Sequence, residues 1–142
     1  MSNRHFEMRL NCSYTDPDNS IERLDVENLL DGEWQLLDLD INSPGFQLFS
    51  YGLFSCQHLY FRANAAERDL KLTSSTAHIT IETDMDWNIQ SLHVEFNGIL
   101  RSGSPTEDAI AYIIERMGFC PVSCNMKKLL DSTRAVTFES AN

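Results

Sequence analysis

Long apolar runs are missing from this chain, because polar residues interrupt every stretch well short of the ~18 residues a membrane-spanning helix needs. Basic residues are scarce as well: 11 Lys and Arg stand against 21 Asp and Glu, for a net charge of −10. Such a surface repels phosphate backbones and anionic lipids, so neither nucleic acid nor membrane is expected as a partner. The segment Met1 to Asn11 lacks an apolar core followed by small residues at a cleavage site, which points to a soluble, cytoplasmic protein. Cys-x-x-Cys pairs are absent, and His5, His58, His78 and His93 are scattered. No zinc template results, and neither metal nor cofactor is expected. Repeats and low-complexity stretches are absent too.

What is present suits one folded domain over residues 1–142. A chain of 142 residues can bury about 68–70% of its unfolded surface, so it needs no disulfide or metal staple. The 42% hydrophobic and 23% charged residues are close to the globular average, which argues against disorder. Phe6, Met8 and Leu10 alternate with Glu7, Arg9 and Asn11, the period-2 pattern of a half-buried strand. Asp16-Pro17-Asp18-Asn19 marks a turn, Leu24 and Val26 a second strand, and Asp31-Gly32 a hairpin into a third over Trp34 to Ile41. The N-terminal strands thus cover about 5–41.

Ser43-Pro44 reads as a helix start, with serine as N-cap and proline at the first helical position. The helix spans about 44–68 and is apolar around much of its girth, which places it in the middle of an assembly. Gly52 in its interior costs ~1 kcal/mol relative to alanine, and a close helix–helix approach is one way to recover it. Strands follow over about 71–100, carrying Ala77, Ile79, Ile81 and then Leu92, Val94, Phe96. Ser104-Pro105-Thr106-Glu107 has the form of a capping box, and Gly118 that of a C-cap. Cys120-Pro121 opens a further helix to about Leu130, so helices cover about 105–131. Val136-Thr137-Phe138 is a candidate closing strand. The order, β-β-β-α-β-β-α-α with a candidate last strand, argues for an α+β fold. One long buried helix with one sheet to cover it hints at a second subunit.

The cysteines are Cys12, Cys56, Cys120 and Cys124. Cys56 lies inside the central helix. Cys120 stands where a helix N-terminus would favour its thiolate, and Cys124 stands one turn later. A second thiol within reach of a thiolate is what reversible disulfide chemistry needs. Spacing alone also allows each cysteine to be a small buried hydrophobe.

The segment Pro44 to Cys56 (PGFQLFSYGLFSC), with Phe119-Cys120-Pro121-Val122-Ser123 placed 64 positions after Cys56, resembles the OsmC/Ohr family of osmotically inducible and organic-hydroperoxide-resistance proteins. The likeness covers roughly residues 35–130. It implies antiparallel sheets wrapped around long central helices in an intertwined homodimer, with active sites at the subunit interface. It further implies that Cys56 attacks a small organic hydroperoxide and becomes a sulfenic acid. Cys120 then condenses with it to a disulfide, which a dithiol reductant reopens.

The chain departs from the family pattern in one place. The position of the family's glutamate falls on Phe46, with Gln47 beside it, so no carboxylate is supplied there. For the family's arginine, Arg23 and Arg9 are the candidates, and Arg23 is preferred. The alternative reading is a non-catalytic OsmC-like dimer that binds a small apolar ligand in the interface pocket. A thiol–disulfide regulator of protein partners ranks last, for want of a Cys-x-x-Cys motif.

Overall fold

The computed structural model describes residues 3–126 and 132–141. Its elements are β1 (Arg4–Thr15), β2 (Ser20–Leu30), β3 (Glu33–Leu36), α1 (Gly45–Glu67), β4 (Lys71–Thr83), β5 (Ile89–Ser102), α2 (Glu107–Met117), a 3-10 turn (Ser123–Met126) and β6 (Ser132–Ser140). The strands form one six-stranded sheet in the order β3-β2-β1-β4-β5-β6. Neighbours are antiparallel except β6, which runs parallel to β5. The expected α+β class holds, as a single sheet with two α-helices. No described helix is long and apolar enough to cross a membrane.

Side-chain alternation decides which way the sheet faces. Met8, Leu10, Cys12 and Tyr14 of β1 are buried with Ala77, Ile79 and Ile81 of β4 and Val94 and Phe96 of β5. Because neighbours along a strand point to opposite faces, His5, Glu7, Arg9 and Asn11 turn the other way. That polar face is tied by His78 Nε2 to Glu7 (2.6 Å), His5 Nε2 to Glu7 (2.7 Å) and Arg9 to Glu27 (2.7 Å). The Leu30–Glu33 hairpin turns on Asp31 (φ 51°) and Gly32 (φ 80°), the two positive angles a twist-matched two-residue loop requires.

Helix α1 lays Leu53, Phe54, Phe61 and Ala65 against the buried sheet face. Phe61 stacks on Phe96 at 4.6 Å and on Phe138 at 5.8 Å, joining α1 to β5 and β6. Each phenylalanine buried this way contributes ~2 kcal/mol. Helix α2 packs Ile113 and Met117 beside α1. The outward side of α1 carries Leu48, Phe49 and Leu59, all exposed in this chain. Among the described residues nothing lies within 4 Å of where a Cβ at Gly52 would sit, so no described helix of the same chain approaches it.

Gly98 is a place in the sheet interior where a missing side chain matters. A Cβ there would stand 2.7 Å from Leu72 Cδ2 and 2.9 Å from Phe138 Cδ1. Gly98→Ala is therefore expected to cost about 1–2 kcal/mol, since both neighbours are packed and must shift. Urea unfolding reads this directly; an unchanged midpoint would mean that Phe138 yields without cost.

Four boundaries differ from the sequence expectation. The third strand stops at Leu36, not Ile41, because Asp40, Asn42 and Ser43 close a turn: Ser43 Oγ accepts from Asp40 N (2.9 Å) and Asp40 Oδ1 from Asn42 N (2.7 Å). With its hydroxyl used there, Ser43 does not cap α1, which starts at Gly45 behind Pro44. Helix α2 is capped by Thr106, which accepts from Ala109 N (3.1 Å), instead of by Ser104. After Cys120 the expected α-helix is replaced by turns and the 3-10 segment. Asn125 Nδ2 donates to Pro121 O (2.7 Å), the carbonyl that the Asn125 backbone N–H would need in an α-helix. The rest of that expected helix, residues 127–131, lies outside the described residues.

Candidate thiol site

Cys56 and Gln57 sit at the middle of α1. Gly118 ends α2, and the chain folds back so that Phe119 to Ser123 returns against α1. This brings the two motif cysteines together: Cys120 and the Val122 backbone N–H are the neighbours that act on the Cys56 thiol. Cys120 is fully buried and Cys56 half-buried. Burial pushes the Cys56 thiol up to about 11, the hydrogen bond to Cys120 adds to the rise, and the Val122 N–H opposes it.

Cys120 Sγ accepts from Gln57 Nε2 (3.1 Å) and from the Ser123 N–H (3.2 Å). Gln57 Nε2 also donates to Met117 O (2.8 Å), while Gln57 Oε1 is buried with no partner. Such an unpaired oxygen costs ~1–3 kcal/mol. Ser123 Oγ accepts from Arg134 of β6. Cys124 lies beside the pair but directs its thiol to Pro121 O (3.5 Å). Cys12 is buried on β1 beside Tyr14. The sulfur environment at Cys120 thus comes from one side-chain amide and from the first N–H of the short 3-10 segment, in place of the α-helix N-terminus expected there.

Cys56 also lines a cavity of about 350 Å³ between α1 and β2, walled by Leu10, Leu24, Val26, Phe54 and Leu59 with His58 and Arg62. His58 is buried and bonded to Tyr14 OH (2.6 Å), which also bonds Ser75 Oγ (2.5 Å). Burial, then the Arg62 charge, lowers the imidazole to about 4, so it is neutral in the fold. A larger depression of about 490 Å³ opens on the polar sheet face among Arg9, Glu27, His78 and Glu95, and holds no thiol.

Neither arginine singled out in the sequence reaches Cys56 of its own chain. Arg23 pairs with Ser13 in the ladder, on the polar face, and is exposed with Asp25 at 3.0 Å. Arg9 pairs with Glu27 and lies over the Trp34 ring at 4.2 Å. The cation on the Cys56 cavity is Arg62. Gln57 was legible as an anomaly: it holds the i+4 core position between Leu53 and Phe61, where an apolar residue is the rule.

No protein-family model and no curated protein matches the chain by sequence. Solved structures do match. An OsmC-like hydroperoxide resistance protein from Jannaschia sp. is 19% identical over 87% of each chain, with a TM-score of 0.57. An OsmC-like protein from Mycoplasma pneumoniae is 11% identical over 93% of this chain and 96% of its own, with a TM-score of 0.52. A putative osmotic stress induced and detoxification response protein from Psychrobacter arcticus is 14% identical over 91% and 94%, also at 0.52. The chain has the OsmC-like fold. Phe46, where the sequence resemblance implies a glutamate, belongs to an aromatic cluster: its ring lies 4.7 Å from Phe6, 5.4 Å from Trp87 and 5.6 Å from Phe49. In this OsmC-like fold the polar contacts to Cys120 come from Gln57 and Ser123.

Proposed function

We propose that this protein is a single OsmC-like domain that reduces organic hydroperoxides with Cys56 and Cys120, acting as a cytoplasmic homodimer. The observation that carries the reading is the placing of the two motif thiols next to each other, one of them on an apolar cavity. The Cys56 sulfur attacks the terminal peroxide oxygen, the O–O bond breaks, and an alcohol leaves while Cys56 becomes a sulfenic acid. Cys120 then displaces hydroxide to form the disulfide, and a dithiol reductant returns two electrons. Apolar walls favour an organic peroxide over hydrogen peroxide. The exposed Leu48, Phe49 and Leu59 on the outward side of α1 support a second copy of the chain as partner. Hydroperoxide resistance in the name of the Jannaschia protein agrees with this reading.

The test is intact-mass analysis and peptide mapping after ~1 equivalent of cumene hydroperoxide, with hydrogen peroxide in parallel. Rapid loss of two thiols with a linked Cys56–Cys120 peptide is expected, and Cys56→Ser should slow peroxide consumption by about 100-fold or more. Slow oxidation spread over all thiols would reject the reading. Phe46 in place of a carboxylate, and a Cys56 thiol pushed up to about 11, favour a second reading as a non-catalytic dimer binding a small apolar ligand in the cavity. Native mass spectrometry of protein purified from cells tests it, since finding only unliganded dimer would count against it.

A further inference from the structure

We propose that the single negative charge of the thiol pair resides on Cys120 Sγ, held by Gln57 Nε2 and the Ser123 N–H, and that Gln57 is the positioning residue that makes Cys120 the proton acceptor for Cys56. The reaction named below rests on the two-cysteine reading; the placement of charge does not.

The geometry of donors is the basis. An amide N–H and a backbone N–H can only donate, so the sulfur they both approach, at 3.1 and 3.2 Å, serves as acceptor. A thiolate accepts far better than a thiol, and charge-assisted bonds of this kind are the strong ones. The orientation of Gln57 is also decided by the structure. Its Nε2 is fixed by Met117 O, and turning the amide over would set Oε1 against both that carbonyl and the sulfur. Its own oxygen is buried without a partner. The amide is therefore placed for its N–H at the expense of its oxygen, a poor choice for packing and a good one for holding an anion.

Cys56 has the opposite surroundings. Burial disfavours its charged form, the neighbouring Cys120 thiol acts in the same direction, and only the Val122 N–H opposes them. Among the described residues, the other groups at the pair are Cys124 and Arg134. Cys124 donates to Pro121 O, and Arg134 donates to Ser123 Oγ, placing a positive charge behind the N–H donor. Among the described residues no carboxylate is hydrogen-bonded to either sulfur.

In the reaction, the proton of Cys56 passes to Cys120 as the Cys56 sulfur attacks the terminal oxygen of the hydroperoxide. The O–O bond breaks, Cys56 becomes the sulfenic acid, and the departing alkoxide takes the proton back from Cys120 to leave as alcohol. Cys120, again a thiolate, attacks the Cys56 sulfur; the S–S bond forms and hydroxide leaves. One thiol, one thiolate and one hydroperoxide give a disulfide, an alcohol and hydroxide, with two electrons passing from sulfur to oxygen. Cys120 thereby serves as base, acid and resolving nucleophile in turn, which supplies what a carboxylate at Phe46 does not.

Thiolate absorbance near 240 nm, titrated on the reduced full-length protein, tests the assignment without relying on access to the buried sulfur. The lowest-pH step is expected to stay within about one pH unit of the parent in Cys56→Ser and to rise by more than a unit in Cys120→Ser. Gln57→Met, which removes the unpaired oxygen along with the donor, is expected to raise the step by about one unit, a tenfold loss of thiolate at neutral pH, with no loss of thermal stability. The reverse order in the two serine variants, equal movement in both, or an unmoved step in Gln57→Met would overturn the proposal. If Gln57→Met fails to fold, the isosteric serine pair still decides. A protein that titrates as expected but consumes no hydroperoxide would sink the peroxidase reading and leave the charge assignment intact.

Discussion

Replacing Asn19 by alanine is expected to lower the free energy of unfolding by about 3–4 kcal/mol, a large share of what a domain of this size commands. Asn19 is 1% exposed, and its backbone sits at φ 54°, a left-handed conformation that asparagine tolerates better than most residues. Its amide donates to Arg62 O (3.1 Å) at the end of α1 and to Leu70 O (3.0 Å), while its oxygen accepts from Leu72 N (2.8 Å) at the start of β4. One side chain thus fastens the β1–β2 turn to the α1–β4 connection. Alanine would remove three hydrogen bonds to backbone groups, two of them buried, each worth ~1 kcal/mol, and add the strain of a Cβ at positive φ. Asn19→Gly should lose the bonds but not suffer the strain, and so fall about 1 kcal/mol short of the alanine loss. Urea unfolding of both variants checks the ordering. A loss below ~1 kcal/mol in Asn19→Ala would mean that the turn is held by its neighbours.

Acidification is the second large effect. His58 is neutral in the folded protein, its value lowered from 6.5 to about 4 by burial and by Arg62, and it bonds to Tyr14 OH. In the unfolded chain it binds a proton near its ordinary value, so between 6.5 and 4 the unfolded state holds more protons and stability falls with pH. The loss amounts to ~3 kcal/mol and is complete below about pH 4. His5 acts with the opposite sign: its hydrogen bond to Glu7 raises it against the opposing effect of burial, so its contribution is present below 6.5 and lost as pH rises. Relief of self-repulsion in a chain of net charge −10 also favours the acid side. The comparison of parent with His58→Gln isolates the histidine. Their stability difference should shift by ~3 kcal/mol in the variant's favour between pH 7 and pH 4, and a constant difference would reject the assignment.

Much of this molecule was legible in its sequence because local chemistry and global fold agree. The alternation of Phe6, Met8 and Leu10, the Asp31-Gly32 hairpin and the Gly118 stop all appear where pattern places them. Errors arose where a side chain had two uses. Ser43 serves a turn instead of the helix it precedes, and Asn125 takes the carbonyl that would have continued a helix after Cys120. The parallel entry of β6 was beyond reach, since strand direction at an edge depends on the path of the preceding crossover. At the candidate site, the two cysteines could be named from motif and spacing. Arg62 could not, because a helix six residues on from Cys56 announces nothing about which cavity it borders.

The parallel seating of β6 bears on the order of events during folding. Antiparallel neighbours joined by short turns can pair as soon as both strands exist, whereas β6 must wait for α2 and the turn behind it to cross over. Arg134, which steadies Ser123 beside Cys120, belongs to that last strand. The sulfur site is thus assembled from the middle of the chain and from its last described strand. Loosening β6 from the sheet edge would take Arg134 away from Ser123, and so reach the sulfur site without touching either cysteine.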